Sequence, residues 1–270
     1  MKFYKLQGAG NDYIYIDGIT SFIDVDSLLP KVPRLSDRHF GIGSDGVIFL
    51  LPSDKADVRM RMFNGFDSSE AQMCGNGVRC VMALAHRLKL VPKKATIETS
   101  AGIVLAQVLE KKEIGIRMFY PPKVSNTAEK VTVCGRSFQF YRADMGNPHA
   151  VILLPENEDL DTFPVEKYGP TLEGNLALFP EKTNVEFFQE TSFGSLKMRV
   201  WERNSGETMA CGTGACATAG VYRALNPAKT DSVTVRMKGG ALKLSWKSDG
   251  FYMQGPAVFV FEGEFNPSDF

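Results

Sequence analysis

The sequence predicts an α+β chain made of two similar halves, each a curved sheet wrapped about one central helix. Three observations carry that expectation. Short β-rich segments recur along the whole chain, only two stretches have strong helical periodicity, and the surroundings of two cysteines repeat at a nearly constant offset.

Segments 2–6, 13–17, 58–63, 96–98, 103–108, 138–142, 150–154, 185–189, 197–202, 232–237, 242–246 and 257–262 alternate apolar with polar residues or are dense in β-branched and aromatic ones. Both patterns suit strands. Within 76–90, Val78, Val81, Met82, Ala85 and Leu88 recur at spacings of three and four, which predicts an amphipathic helix. A second helix is predicted over 213–225, where Gly214-Ala215-Cys216-Ala217-Thr218-Ala219-Gly220-Val221 is small or apolar on nearly every side. A helix without a polar face is enclosed, so the strands are expected to wrap around it.

Cys74 lies in Met73-Cys74-Gly75-Asn76-Gly77 and Cys211 in Ala210-Cys211-Gly212-Thr213-Gly214, with Glu70 and Glu207 each four residues upstream. The cysteines are 137 positions apart and so are the glutamates, while Gly10-Asn11 and Gly146-Asn147 are 136 apart. Such an offset implies duplication, with an active site expected between the copies and the join near Tyr120-Pro121-Pro122.

Each cysteine is expected at the N-terminus of its helix, where unsatisfied N–H groups and the positive end of the dipole favour thiolate and can hold a carboxylate. The flanking glycines remove side chains that would block that approach. Moving an α-proton from one face of a carbon to the other needs a base on one side and an acid on the other, and a matched thiol pair supplies both. The chain therefore reads as a racemase or epimerase. Cys80, Cys134 and Cys216 lack the glycine frame and read as core or incidental residues.

The 270 residues contain 31 basic and 31 acidic side chains and no long run of either sign, which removes the electrostatic footprint expected of a nucleic-acid or membrane-surface partner. A small-molecule substrate is favoured. No secretory pattern occurs in the first twenty residues, and the longest apolar run, 80–85, is far too short to span a bilayer, so a soluble cytoplasmic protein with reduced thiols is expected. Five cysteines without a paired ligand spacing argue against a disulfide framework or a structural zinc site.

Gly41-Ile42-Gly43-Ser44-Asp45-Gly46 matches the dinucleotide fingerprint in letters only. That fingerprint follows a strand and opens a helix, whereas here Asp37-Arg38-His39-Phe40 is too polar for a buried strand and 47–51 reads as a strand itself. Glu202-Arg203 is a candidate clamp for an amino-acid substrate, or a solvated face. His149, after Asn147-Pro148, is placed to orient Glu202 or a thiol, or to make a structural hydrogen bond. His39 and His86 carry no functional signal.

At these residues the chain resembles the diaminopimelate epimerases. The matching stretches are Gly8-Ala9-Gly10-Asn11-Asp12, Asp37 to Gly43, Arg61-Met62-Phe63-Asn64, Ser69 to Gly77, Met145-Gly146-Asn147-Pro148-His149, Thr183-Asn184-Val185 and Glu202-Arg203 with Gly206 to Gly214. The resemblance implies two pseudo-symmetric domains, each a mixed, largely antiparallel sheet rolled around a helix. Residues 1–118 with 257–270 would form one domain, carrying Cys74, and 119–256 the other, carrying Cys211.

The resemblance further implies interconversion of L,L- and meso-2,6-diaminopimelate without metal or organic cofactor, in a homodimer, on the way to lysine and peptidoglycan precursors. Carried over by position, Cys74 and Cys211 are the acid/base thiols, and the amides of Gly75, Asn76, Gly212 and Thr213 hold the reacting carboxylate. Asn11, Asn64, Asn147, Asn184, Glu202 and Arg203 match substrate-binding positions. The chain departs from the family pattern in Gly65-Phe66-Asp67-Ser68, one residue longer than usual, in Asn204-Ser205, and at Gly46, where some members have a polar side chain. A racemase of the same fold acting on another amino acid, and a binding protein without turnover, are the alternatives.

Overall fold

The computed structural model describes residues 1–110, 113–227 and 231–270. The chain divides into two compact units, Met1–Arg117 with Gln254–Phe270, and Met118–Met253.

In the first unit the strands run in the order Val258–Glu264, Lys2–Gly8, Asn11–Asp17, Gly46–Leu51, Val58–Asn64, Lys94–Thr99, Gly102–Val108 and Glu113–Arg117. Five pairings are antiparallel. The two parallel ones, Asn11–Asp17 with Gly46–Leu51 and Val58–Asn64 with Lys94–Thr99, each need a crossover. The second crossover carries the helix Gly75–Arg87, which packs against strands along the whole series. Ten of its residues are buried, from Gly75 to Ala85, so the strands curl around it.

The second unit repeats this design. Arg136–Asp144 is antiparallel to Pro148–Leu153, which is parallel to Asn184–Ser192. Asn184–Ser192 is antiparallel to Ser195–Glu202, which runs parallel to Ser232–Met237, itself antiparallel to Gly240–Lys247. The helix Gly212–Leu225 fills the crossover before Ser232–Met237 and is buried continuously from Gly214 to Tyr222. The enclosed apolar helix expected from the sequence is thus present.

The two units share a register as well as an order. Tyr13 pairs with Gly46 and Tyr15 with Ile48 in the first, while His149 pairs with Asn184 and Val151 with Glu186 in the second. Tyr13 and His149 are therefore equivalent positions, as are Ile48 and Glu186.

Besides two-residue strands, the periodicity reading misses Glu113–Arg117, Glu129–Val133 and Gly250–Pro256. Gly115 interrupts the first. The second forms a tight hairpin with Arg136–Asp144 through Cys134 and Gly135, both at positive φ, and cysteine is not a residue that signals such a turn. The helix Val165–Glu173 also escapes, because it contains Gly169 and Pro170. Packing overrides the poor propensity: Trp201 sits where a side chain at Gly169 would point, and its Nε1–H donates to Glu173 Oε2 at 2.8 Å.

Candidate active site

Each framed cysteine is the N-cap of its central helix. Cys74 has φ −132° and ψ 118°, Cys211 φ −118° and ψ 115°, both extended, and each sulfur accepts from the amide three residues on: Gly77 N at 3.5 Å and Gly214 N at 3.3 Å. A capping side chain satisfies one of the orphan donors of a first turn, leaving the earlier amides for another acceptor. Those are the amides of Gly75-Asn76 and Gly212-Thr213.

Around Cys74, the Tyr13 hydroxyl lies 3.8 Å from the sulfur, and Asn11 Oδ1 is 3.4 Å away, placed to accept from the thiol. Asn11 is oriented by Asp45, whose Oδ2 accepts from Asn11 Nδ2 at 2.6 Å. Asp45 in turn is held by Arg38 at 2.9 Å. The Gly41–Gly46 segment thus enters a strand, as its order of elements requires, and delivers a carboxylate rather than a phosphate cradle. On the helix, Arg79 is fully buried and donates from Nη2 to Asn76 Oδ1 at 2.6 Å.

Asn64 donates from Nδ2 to Ser69 Oγ at 2.8 Å, and its carbonyl accepts from Ser68 N at 3.0 Å, so the longer 65–68 turn closes back on it. Its register partner is Gly46. A side chain at Gly46 would meet Phe63 O at 2.2 Å, so this backbone leaves no room for a polar group there.

Around Cys211 the surroundings are charged. Glu202 is mostly enclosed, with its Oε1 accepting from the Thr208 hydroxyl. His149 Nδ1 meets Glu186 Oε1 at 2.7 Å with both side chains wholly buried. His149 Nε2 lies 3.1 Å from Asn147 Oδ1, and Asn147 Nδ2 is 3.4 Å from Thr213 Oγ1, itself 3.5 Å from the Cys211 sulfur. Asn184 bridges strands, donating to Pro148 O and accepting from Arg203 N, both at 3.0 Å. Glu202 and Arg203 do not pair with each other: the Arg203 guanidinium turns to Glu181 O at 3.1 Å. Asn204 sits at φ 62°, the left-handed conformation that asparagine tolerates.

One reading from the sequence is corrected. The helix N-termini were expected to favour the thiolates, yet burial pushes the Cys74 thiol up, against the opposing pull of the Gly77 amide, the Tyr13 hydroxyl and Arg79. Burial pushes Cys211 further still, reinforced by the negative charges of Glu202 and Glu186. Desolvation of the thiolate outweighs the hydrogen bonds from the first-turn amides here. Glu202 is likewise raised, first by burial.

The repeated glutamates, which marked the duplication, take equivalent roles in the two units. Each is gripped by an arginine: Glu70 takes two hydrogen bonds from Arg61 at 3.0 and 2.9 Å, and Glu207 two from Arg199 at 2.6 and 2.9 Å.

Tyr13, Asp45, Thr208 and Glu186 were not singled out in the sequence. The offset of 136 that relates Asn11 to Asn147 also relates Tyr13 to His149, and it would have found the tyrosine. Glu186 has no such signal, because its equivalent is Ile48.

A family model described as diaminopimelate epimerase matches the chain twice, over residues 3–122 and 141–260. A diaminopimelate epimerase of Methanococcus maripaludis is 44% identical, the match covering 98% of this chain and 99% of that protein. One from Acetivibrio thermocellus is 42% identical, with 98% of each chain covered. Among solved structures, a PhzF-family phenazine biosynthesis protein of Bacillus anthracis superposes with a TM-score of 0.74 at 16% identity, covering 98% of this chain and 99% of that one. A probable proline racemase from Agrobacterium radiobacter gives 0.73 at 15% identity, covering 98% and 92%. These two likenesses show the fold.

Proposed function

The chain belongs to the diaminopimelate epimerase family, and on that footing we propose that it interconverts L,L- and meso-2,6-diaminopimelate, a step toward lysine and peptidoglycan precursors. One thiolate removes the α-proton and the other thiol delivers a proton to the opposite face, with the roles of Cys74 and Cys211 exchanged in the reverse direction. No metal or organic cofactor takes part. The same family reading carries a cytoplasmic homodimer; among the described residues, no helix is long and apolar enough to cross a membrane.

The observation that carries this reading is the equivalence of the two cysteines, each the N-cap of a buried, glycine-framed helix in units of identical strand order. The first-turn amides beside each sulfur suit an α-carboxylate, whose charge grows as the proton leaves. Burial keeps the resting thiols protonated. A substrate ammonium brought against a thiol favours the thiolate and offsets that burial. Asn11, Asn64, Asn147, Asn184, Glu202 and Arg203 supply further donors and acceptors for the amino and carboxylate groups.

Solvent deuterium incorporation tests the reading. In D2O, L,L-diaminopimelate should gain deuterium at the α-carbon and yield the meso isomer, while proline, histidine and glutamate should not exchange. Exchange of one of those three and not of diaminopimelate would assign a different racemase.

A further inference from the structure

The repeat places Ile48 and Glu186 at equivalent strand positions, and the glycines facing them show what changed between the copies. A β-carbon on Gly77 would meet Ile48 Cδ1 at 2.9 Å, whereas one on Gly214 would meet Glu186 Oε1 at 2.7 Å. The third residue of each central helix thus lies against a methyl group in one unit and a carboxylate in the other. Glu186 is fully buried, and a carboxylate is costly to bury without compensation. Its Oε1 has His149 Nδ1 and the helix N-terminus as compensation, while Oε2 has no hydrogen-bond partner.

We propose that Glu186 is a positioning residue for the Cys211 half of the site: its carboxylate accepts from His149 Nδ1–H and so aims Nε2–H at Asn147 Oδ1. The assignment rests on the epimerase reading above. The Glu186 oxygen on one side and Asn147 Oδ1 on the other both accept, so each ring nitrogen donates toward its own partner. With the ring pinned at 2.7 Å on one side, the 3.1 Å contact on the other sets the amide of Asn147, which reaches Thr213 beside the thiol. In the first unit the equivalent pair is Tyr13 and Ile48, which has no such relay, and there the tyrosine hydroxyl reaches the thiol directly.

The test uses the full chain with Glu186→Ile, the residue this backbone accommodates in the other unit, and the near-isosteric Glu186→Gln. His39, His86 and His149 are the three histidines, so long-range proton–nitrogen NMR resolves the imidazoles after assignment with His39→Gln and His86→Gln. In the unsubstituted protein His149 should show a protonated, hydrogen-bonded Nδ1. Glu186→Ile should lose that signal and lower kcat by about 100-fold with a much smaller change in KM, the mark of misplaced rather than missing binding groups.

Glu186→Gln keeps an acceptor without the charge, so the Nδ1 resonance should shift and kcat should fall less. If Glu186→Ile does not fold, Glu186→Gln carries the same two readouts. Unaltered His149 resonances, or an altered ring with undiminished kcat, would overturn the assignment. Failure of the epimerase reading shows separately, as absence of turnover in the unsubstituted protein.

Discussion

The guanidinium of Arg199 holds the carboxylate of Glu207 by two parallel hydrogen bonds, Nε to Oε1 at 2.6 Å and Nη2 to Oε2 at 2.9 Å. Arg199 also donates from Nη1 to the carbonyls of Leu160 and Asp161, both at 3.1 Å, and to that of Phe163. The pair therefore ties the strand Ser195–Glu202 to the approach of Cys211 and to the 160–163 loop.

Glu207→Ala strands a guanidinium that is 8% exposed and should cost about 2–3 kcal/mol, between the values for surface and fully buried pairs. Glu70→Ala in the more exposed Arg61 pair should cost less, about 1 kcal/mol. Denaturant unfolding measures both. Although burial pulls Glu207 up, Arg199 and Lys238 hold its carboxyl below the ordinary 4.5. The contribution is thus full above that pH and fades as pH falls through the lowered value, so the difference between Glu207→Ala and the unsubstituted protein should shrink in acid.

Gly214→Ala and Gly77→Ala should separate in stability and activity. Both gain up to about 1 kcal/mol of helix propensity. At Gly77 the obstacle is the end of the flexible Ile48 side chain, and overpacking of this kind costs about 1 kcal/mol, leaving little net change. At Gly214 the new methyl meets the buried Glu186 carboxylate at 2.7 Å and the Cys211 sulfur at 3.3 Å, so the cost should reach about 3 kcal/mol. Melting curves and epimerase assays on the two variants check the order.

Thiol alkylation should follow burial and charge. Iodoacetamide should label exposed Cys134 first, then Cys74, then Cys211, as followed by mass spectrometry. For Cys74 and Cys211 the rates should climb only above pH 9, since burial raises both thiols above the ordinary value of 9.0. Glu202→Gln removes one of the charges raising Cys211 and should speed its labelling. Cys80, pushed up to about 12 by burial, adds an alkaline weakness: its contribution to stability is intact below pH 9 and is lost as pH rises toward 12, because the unfolded chain ionises first.

Replacing either framed cysteine by alanine should lower epimerisation by about 1000-fold or more, since it removes the acid in one direction and the base in the other. Full activity of Cys74→Ala or Cys211→Ala would remove that residue from the chemistry.

Asp45→Ala should lower kcat/KM by about 10- to 100-fold, the worth of one charge-assisted hydrogen bond, by freeing the Asn11 amide to rotate away from Cys74. Asp45→Asn should retain more, because its carbonyl still accepts from Asn11.

The duplication and the central helices were legible because both are periodic properties of the chain. Offsets of 136 and 137 mark the copies, and the run from Gly214 to Val221 admits only an enclosed helix. The strand Glu129–Val133 and the helix Val165–Glu173 were not legible. One turns on a cysteine at φ 49°, and the other survives Gly169 and Pro170 through contacts with Trp201.

By itself the sequence determined the family, the paired helices and their capping cysteines, since these depend on residue order and local backbone preference. Only the tertiary structure decided what surrounds each cap. A neutral Tyr13 and Asn11 meet Cys74, while at Cys211 burial drives the thiol up and the carboxylates of Glu202 and Glu186 add to it. Desolvation and Coulomb interaction depend on which distant strands pack against a sulfur, and no local pattern records that.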